Sequence, residues 1–460
     1  MKIEPKKRKA KNDLISFLSA NVKEASRFDP GIFEKYNVKR GLRNVDHTGV
    51  LVGLTNIGDV VGYKKRGNKL VPVDGKLIYR GFDVEDLIKG AISQKRHGFE
   101  EVVYLLISGK LPNDDELYDF NNYMGKLREL PDNFTNNMIL NLKGFDITNI
   151  LARSVLGLYA LDDKAEDISL QNLVEQSLNL IAKFPTIIAY SYHTMRHAFE
   201  HKTLSLRHPV PELSTAENFL LMIKGLGKYT KLEADILDLS LILHAEHGGG
   251  NNSTFTIRVT SSTGTDTYSA VASAIASLKG PLHGGANHEV LGMMENIKEN
   301  VKNWDSEKEV TDYLYKILNK KAYDQSGKIY GIGHAVYTIS DPRAKLLKEQ
   351  AMELAIAKDR LEEFKLYSMI EYLAPKIFSE YKGSNAAKRV CANVDFYSGF
   401  VYSCIGIKEA LYTPLFAMSR IAGWCAHRLE ELTFDSRRII RPAYKNVSPR
   451  LAFKSIKKSD

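Results

Sequence analysis

The sequence of 460 residues has few cysteines and no long apolar run. Its three cysteines, Cys391, Cys404 and Cys425, are odd in number and show no CxxC spacing, which argues against a disulfide framework and a thiolate zinc site. Apolar runs such as 239–243 are soon interrupted by polar residues, whereas a bilayer helix needs about 20 apolar residues. These absences predict a cytoplasmic protein without a membrane span.

Several other protein classes are excluded by composition. With 44% hydrophobic and 26% charged residues, the chain is neither disordered nor fibrous. Residues 1–12 are basic, but no apolar stretch and cleavage site follow them, so we interpret them as a solvated terminus rather than a secretory signal, a nuclear address or a nucleic-acid arm. The net charge of +9 favours acidic partners, such as substrates that carry carboxylates and phosphates. Nucleic acid is the least supported partner, because no RNP, zinc-finger or basic-zipper motif occurs.

Apolar residues recur at three- and four-residue spacings through most of the chain, which predicts a mainly α-helical fold. The predicted helices span 114–128, 147–161, 170–200, 214–226, 232–243, 267–278, 343–382 and 414–429. Pro185 is expected to kink or split the third, and Ser214 with Glu217 forms a capping box at the start of the fourth. Between 44 and 79, glycines and the apolar runs 50–52 and 77–79 predict a few short strands.

Four histidines stand beside glycines or other polar residues: His244 and His247 in HAEHGGGN, His283 in PLHGGAN and His334 in YGIGHAVY. Glycine neighbours leave an imidazole open to a ligand, although any one of these histidines alone is more often structural. His244 and His247 also have the spacing of a metal-ligand pair on one helix face. Because the H-E-x-x-H spacing is absent and three glycines end the helix there, we predict no metal site.

Asp395 lies in NVDFYSG, between Val394 and Phe396. Apolar neighbours desolvate a carboxylate and raise its pKa, which makes Asp395 a candidate general base. The alternative is an N-cap for the helix that follows, since aspartate is favoured there.

Three arginines are candidate anion ligands: Arg343 after a helix-start signal, Arg420 in an apolar helix, and Arg441 before a proline. A guanidinium group binds a carboxylate through two parallel hydrogen bonds. An internal salt bridge is the alternative for each arginine, and for Arg420 the two readings are equally supported.

Taken in order, the segments HAEHGGGNNSTFTIR, GPLHGGANHEV, GIGHAVYTISDPRA, NVDFYSG and MSRIAGWCAH…RP resemble the citrate synthase family. Weaker similarity extends back to about residue 41. The resemblance implies a two-domain, almost all-helical fold, a homodimer, and no metal or permanently bound cofactor. Glycine-marked joints then suggest an N-terminal extension (1–40), a large domain (41–283), a small domain that closes over the active site (284–399), and a C-terminal helix with a tail (400–460).

The resemblance also implies a reaction, the condensation of acetyl-CoA with oxaloacetate and water to give citrate and CoA. Asp395 would remove a methyl proton of acetyl-CoA, and His283 would stabilise the resulting enol or enolate. His334 would polarise the oxaloacetate carbonyl, with His247 as a further donor to that substrate. Arg343 and Arg420 would bind the oxaloacetate carboxylates, joined by Arg441 from the other subunit.

The binding site for CoA is less well defined by these motifs. Some family members have a basic residue where this chain has Thr338, so contacts to the CoA phosphates must come partly from elsewhere. The expected CoA-binding residues are Gly331, Ile332, Gly333, Lys388 and Arg389. A second departure is Gly248, which replaces a glutamate that many members have directly after the second histidine of the first motif.

Two alternative functions remain open at this point. A 2-methylcitrate synthase uses propionyl-CoA through the same residues, and one methylene in an apolar pocket discriminates by only about 1–3 kcal/mol. A helical binding protein that has lost catalysis is the other alternative. The retention of His283, His334 and Asp395 together argues against it, because a non-catalytic descendant has no reason to keep all three.

Overall fold

The computed structural model describes residues 5–46, 48–67, 69–383 and 390–453. The chain divides into two compact units, Met1–Leu54 and Thr55–Asp460. The first contains helices α1 (Pro5–Ala25) and α2 (Pro30–Lys35) and a single 3₁₀ turn, Arg40–Leu42. The division expected at residues 283, 284 and 399 stays a prediction.

The second unit begins with a small antiparallel sheet. Strands β1 (Gly58–Arg66) and β2 (Lys69–Tyr79) form a hairpin, and β3 (Phe82–Asp83) pairs with the end of β2. Strands are therefore confirmed for 77–79, but the prediction for 50–52 is wrong. Leu51 and Val52 are exposed in a segment with no strand partner among the described residues, and β-branched composition alone does not form a ladder.

Helices make up most of the remainder. They are α3 (Val84–Ser93), α4 (Phe99–Ser108), α5 (Asp114–Leu127), α6 (Ile147–Tyr159), α7 (Leu170–Glu200), α8 (Thr215–Lys224), α9 (Lys231–His244), α10 (Asn252–Ser261), α11 (Thr267–Lys279), α12 (Ala286–Asn300), α13 (Glu307–Leu318), α14 (Pro342–Ala357), α15 (Leu361–Lys382), α16 (Val394–Ile405) and α17 (Tyr412–Thr433). A short π-helical turn, Thr135–Leu140, and a 3₁₀ turn, Glu409–Leu411, complete the set.

Local sequence signals account for most helix ends. The Ser214 hydroxyl accepts from the Glu217 N–H and the Glu217 carboxylate accepts from the Ser214 N–H, so the predicted capping box is confirmed. The predicted helix 343–382 is wrong, because α14 and α15 are separate. Asp359 between them has φ +56°, a left-handed conformation that ends the helix without a glycine or proline. The split predicted as one outcome at Pro185 is absent, since α7 runs through this buried proline as one helix, and the kink stays a prediction.

The core is built around α17, which is buried along almost its whole length and packs against α7, α9, α10 and α11. Its largest fully buried side chains are Trp424, Arg420 and Arg428. None of the helices in the described ranges combines the length and apolar character that a membrane span requires. The end of α9 and the turns before α10, α12 and α14 lie around this core, and the candidate site residues are found there.

Candidate active site

The predicted site residues come from helix ends and from the core helix. His244 is the last residue of α9, and His247 lies in the turn that follows. His283 lies between α11 and α12, His334 before α14, and Asp395 in the first turn of α16. Arg343 is in the first turn of α14, and Arg420 is in the middle of α17. Because α9 ends at His244, His244 and His247 do not share a helix face as a metal-ligand pair would require.

Three of these residues gather around the buried ring of Tyr337. The His334 ring stacks on Tyr337 at 4.7 Å between centroids, and the His247 ring lies 5.7 Å from Tyr337 and 5.2 Å from His334. The Arg343 guanidinium lies 5.7 Å from the Tyr337 centroid. The structure thus brings His247, His334 and Arg343 together, as the sequence motifs imply.

The hydrogen bonds of His334 fix which of its nitrogens carries the proton. Its Nδ1 accepts from the backbone N–H groups of Val336 and Tyr337, each at 3.0 Å. An acceptor nitrogen carries no hydrogen, so the neutral ring has its proton on Nε2. His334 can therefore present an Nε2–H donor to a carbonyl oxygen.

A second group surrounds the ring of Phe416. His244 lies 4.9 Å and His283 lies 6.3 Å from Phe416 between ring centroids, and the Arg420 guanidinium lies 4.6 Å from the Phe416 centroid. Phe416 and Tyr337 were not predicted as site residues. Both stand inside predicted motifs or helices, but nothing in the local sequence shows that histidines from distant segments pack on them.

Arg420 is fully buried, and only part of its hydrogen-bonding capacity is used. Its Nε donates to the His244 carbonyl at 2.5 Å, while Nη1 and Nη2 find no hydrogen-bond partner among the described residues. Burial lowers the pKa of Arg420 to about 10, which still leaves the group cationic near neutral pH. A buried guanidinium with two unused N–H edges is suited to an anion. The internal salt bridge that was the alternative for Arg420 is not found in the described part of the chain.

Arg343, in contrast, has an internal salt bridge. Its Nε and Nη2 donate to the two oxygens of Asp341 at 3.0 and 2.7 Å. Burial lowers the pKa of Arg343, but the Asp341 carboxylate outweighs it and the net shift is upward. Asp341 also caps α14 by accepting from the Arg343 N–H, with Pro342 in the first turn, so the predicted helix-start signal is confirmed.

Asp395 has the electrostatics of a base. Burial raises its pKa to about 6, and the nearby positive charges of Arg343 and Arg420 keep it from rising further. The N-cap of α16 is Asn393, whose side chain accepts from the Asp395 N–H, so the alternative role of Asp395 as the cap is wrong. The carboxylate is thereby left for other chemistry.

Three site histidines are neutral at pH 7. Burial is the main cause in each, and it lowers the pKa of His244 to about 3, that of His283 to about 4, and that of His247 well below its usual value. The positive charge of Arg420 acts in the same direction on all three. A neutral imidazole still has one N–H that can donate a hydrogen bond to developing negative charge.

His283 is held by a serine that the motifs did not identify. Its Nε2 lies 3.1 Å from the Ser253 hydroxyl, which also accepts from the Trp424 indole N–H at 3.1 Å. The Ser253 proton has two acceptors within reach, His283 Nε2 and Asn251 Oδ1 at 2.9 Å. When it goes to His283, the ring proton lies on Nδ1 and is available to a substrate.

His247 is positioned by a buried charged network. The Glu246 carboxylate accepts from the Gly248 N–H at 2.5 Å and lies 2.9 Å from His427 Nε2, while Arg258 donates to His427 Nδ1 at 3.0 Å. Gly248 has φ +79°, and a Cβ there would lie 3.1 Å from a Val60 methyl group. The glycine that departs from the family pattern therefore forms a turn that a larger residue would strain.

The glycine loop before His334 is anchored beside Asp395. Gly331 accepts from the Asn393 N–H at 2.9 Å, Gly333 donates to the Cys391 carbonyl at 2.8 Å, and Ile332 forms a bridge with Ala392. A Cβ on Gly331 would lie 2.7 Å from the Phe396 ring, so this residue must be glycine. The loop thus ties His334 to the helix that carries Asp395. CoA binding by Gly331, Ile332 and Gly333 stays a prediction.

The prediction also named residues outside this cluster and residues outside the described part of the chain. Lys388 and Arg389 lie outside the described residues. Arg441 is exposed in the tail after α17, and no described contact joins it to the other site residues. Among the described side chains, no group of three or more histidine, cysteine, aspartate or glutamate residues is placed to hold a metal ion.

Comparison with known proteins identifies the family of the chain. The sequence model described as the C-terminal domain of citrate synthase matches residues 44–443. The chain is 36% identical to the citrate synthase of Haloferax volcanii, over 80% of this chain and 88% of that protein. The chain belongs to the citrate synthase family. It is also 36% identical to citrate synthase 2 of Bacillus subtilis (82% and 91% covered) and 33% identical to a 2-methylcitrate synthase of Shewanella oneidensis (81% and 90% covered).

Solved structures give the same result for the fold. The citrate synthase of Pyrobaculum aerophilum superposes with a TM-score of 0.71 at 32% identity, covering 90% of this chain and 94% of that one. The citrate synthase of Thermoplasma acidophilum, solved with carboxymethyl coenzyme A and oxaloacetate, gives 0.73 at 28% identity, covering 92% and 98%. The predicted family, the mainly helical fold with a few strands and the citrate synthase function are confirmed.

Proposed function

We propose that the residues gathered around Tyr337 and Phe416 condense acetyl-CoA with oxaloacetate and water to give citrate and CoA. The observation that carries this assignment is the buried Arg420 guanidinium, whose Nη1 and Nη2 have no partner among the described residues. It shares the Phe416 ring with His283, and its positive charge opposes the rise of the Asp395 pKa. It provides an anion site next to a candidate base and a neutral donor. In this assignment the chain is an acyltransferase that works without a metal or a permanent cofactor.

Oxaloacetate binding is the first step of the proposed sequence. Its carboxylates take the free N–H edges of Arg420 and contact Arg343, and the buried Nε2 of His247 hydrogen-bonds to the same substrate. Arg441 completes the site from the partner subunit of a homodimer, which is consistent with its exposure within one chain. Neutralisation of the buried Arg420 favours closure of the small domain, 284–399, over the large domain, 41–283.

Carbon–carbon bond formation follows. Asp395 removes a proton from the methyl group of acetyl-CoA, and His283 donates through Nδ1 to the thioester oxygen, where the negative charge develops. The enol or enolate carbon attacks the ketone carbon of oxaloacetate. His334, with its proton on Nε2, polarises that carbonyl and passes this proton to the new alkoxide, and the proton that Asp395 removed restores the neutral ring. Water hydrolyses the resulting citryl-CoA and releases the CoA thiol.

The remaining assignments concern CoA and the cell. We assign CoA contacts to Gly331, Ile332 and Gly333 and to the basic pair Lys388 and Arg389. We place the protein in the cytoplasm, with support from the three free, buried cysteines in the described part of the chain. Neither a membrane nor a nucleic acid is a proposed partner.

A 2-methylcitrate synthase is the second candidate, because a relative with that name shares 33% identity over most of the chain. It uses the same residues on propionyl-CoA. The test is the release of free thiol from acetyl-CoA and from propionyl-CoA, each with and without oxaloacetate, in buffer with EDTA. We expect oxaloacetate-dependent release that survives EDTA and a higher kcat/KM for acetyl-CoA.

Each other outcome overturns part of the proposal. A higher kcat/KM for propionyl-CoA makes the chain a 2-methylcitrate synthase. Loss of activity in EDTA contradicts the metal-free mechanism. No thiol release from either thioester, in protein that is folded by circular dichroism, supports a binding protein without catalysis.

A further inference from the structure

Asn287 is a buried amide that contacts Asp395. It lies in the first turn of α12, four residues after His283, and only 2% of its surface is exposed. Helix α12 packs against α16, which carries Asp395. With the amide nitrogen turned toward α16, the nitrogen lies 3.0 Å from Asp395 Oδ1 and 2.9 Å from the Asp395 carbonyl oxygen, while the amide oxygen accepts from the Ser398 hydroxyl at 3.2 Å. The opposite orientation would direct the amide oxygen at two acceptor oxygens.

We propose that Asn287 is a positioning residue for Asp395, whose amide N–H holds Oδ1 of the ionised carboxylate and leaves Oδ2 to take the proton of the acyl-CoA. This inference rests on the proposed role of Asp395 as the base. A carboxylate with one oxygen fixed by a donor has a single orientation toward its substrate, which reduces the reorganisation needed for proton transfer.

The turn that links His283 with Asn287 has no room for a side chain at either of its two glycines. The Gly284 N–H donates to the Leu278 carbonyl at 2.9 Å, and a Cβ on Gly284 would lie 2.4 Å from that oxygen. A Cβ on Gly285 would lie 2.8 Å from the Pro281 carbonyl. One rigid segment therefore presents the donor for the thioester oxygen and the donor for the carboxylate that removes the proton.

The charges around Asp395 and the Asn287 amide together set the pKa of Asp395, so loss of Asn287 should change that pKa. The titratable groups that act on the Asp395 charge are Arg343 and Asp341, on and just before α14, and Arg420 on α17, while Tyr402 on α16 itself responds to the Asp395 charge. Against α12 the contact is the neutral Asn287 amide. A donor favours the charged form of a carboxylate, so removal of the Asn287 donor raises the pKa of Asp395.

The experiment measures kcat against pH for the full-length protein with saturating oxaloacetate and acetyl-CoA. Asn287→Leu removes the donor at similar volume, and Asn287→Asp replaces it with a like charge. We expect kcat at pH 7 to fall about 10- to 100-fold, and the acid limb of the profile to move to higher pH, further in Asn287→Asp. KM for oxaloacetate should stay within about twofold, because Asn287 does not contact that site.

Ser398→Ala is the matched control, because it removes the hydrogen bonds between Asn287 and Ser398 but keeps those between Asn287 and Asp395. Its acid limb should coincide with that of the unmodified protein. The role of Asn287 alone is overturned if the acid limb of the pH profile is unshifted in both Asn287 variants. This conclusion requires that the unmodified protein is active and that Asp395→Ala is not. An unmodified protein without oxaloacetate-dependent thiol release overturns the proposed function on which it rests. If one Asn287 variant does not fold, the other still decides the question.

Discussion

Two regions of the site each bury one arginine, and they treat it differently. At the start of α14, Arg343 forms two hydrogen bonds with Asp341, and its pKa is raised. In the middle of α17, Arg420 donates to one carbonyl oxygen, keeps two N–H edges without a partner in the described chain, and has its pKa lowered to about 10. Arg343 has its counter-charge within the protein, whereas Arg420 needs an anion from outside.

The contrast separates stability from binding. A buried ion pair that loses one partner is strongly destabilised, because the other charge is left uncompensated. A buried charge without a partner already destabilises the folded protein. A ligand that supplies the counter-charge removes this destabilisation. We therefore expect Arg343 to contribute to both folding and binding, and Arg420 to contribute mainly to binding.

The largest expected effect is that of Arg420→Leu on oxaloacetate. Loss of a buried guanidinium–carboxylate contact should weaken binding by at least about 100-fold, measured by titration calorimetry without acyl-CoA. The free energy of unfolding should stay the same or increase, because an unpaired buried charge is removed.

Arg428→Leu is the matched control for Arg420→Leu. Arg428 is also buried on α17, but its nitrogens donate to Thr267, Ser261 and the Thr265 carbonyl. We expect this variant to lose stability in urea and to keep its affinity for oxaloacetate. The proposed difference between the two arginines would be wrong if Arg428→Leu lost affinity for oxaloacetate and Arg420→Leu lost only stability.

A mixed effect is expected for Arg343→Leu. Oxaloacetate affinity should fall about tenfold, because Asp341 competes for this guanidinium, and the free energy of unfolding should fall by about 3–5 kcal/mol, because the Asp341 charge is left buried and unpaired. The double variant Arg343→Leu with Asp341→Asn keeps an N-cap and removes the charge, so it should recover part of that loss in a urea titration. No recovery would show that the pair does not account for the destabilisation.

The smallest expected effect is on the pH dependence of turnover. Asp395 acts as a base only when ionised, so kcat should fall as the pH drops through about 6. Both arginines lower the pKa of Asp395, Arg343 more than Arg420, so each leucine variant should move the acid limb to higher pH in that order. Profiles between about pH 5 and 9 that coincide for all three proteins would contradict this electrostatic coupling.

Local signals in the sequence predicted part of the fold. The start of α8 follows from Ser214 and Glu217, and that of α14 from Asp341 and Pro342, because each signal acts within one turn. The end of α14 could not be predicted in this way. Asp359 takes a left-handed conformation there, and the helical periodicity of the sequence continues on both sides of it. The strand prediction for 50–52 failed for another reason, since none of the described strands pairs with these residues.

The site shows the same limit on a larger scale. His283, His334 and Asp395 stand in short motifs and were predicted, together with the two buried arginines. Their supporting residues were missed, because the contacts join distant segments: Ser253 with His283, His427 with Glu246, and Asn287 with Asp395. No periodicity or spacing in the sequence marks such pairs.

The central claim is that Asp395 is the base, and the most direct test is the turnover of Asp395→Ala. Oxaloacetate-dependent thiol release from acetyl-CoA should fall by at least about 100-fold in this variant, and equally in His283→Ala, with thermal unfolding unchanged within a few degrees. A rate near that of the unmodified protein in Asp395→Ala would contradict the account.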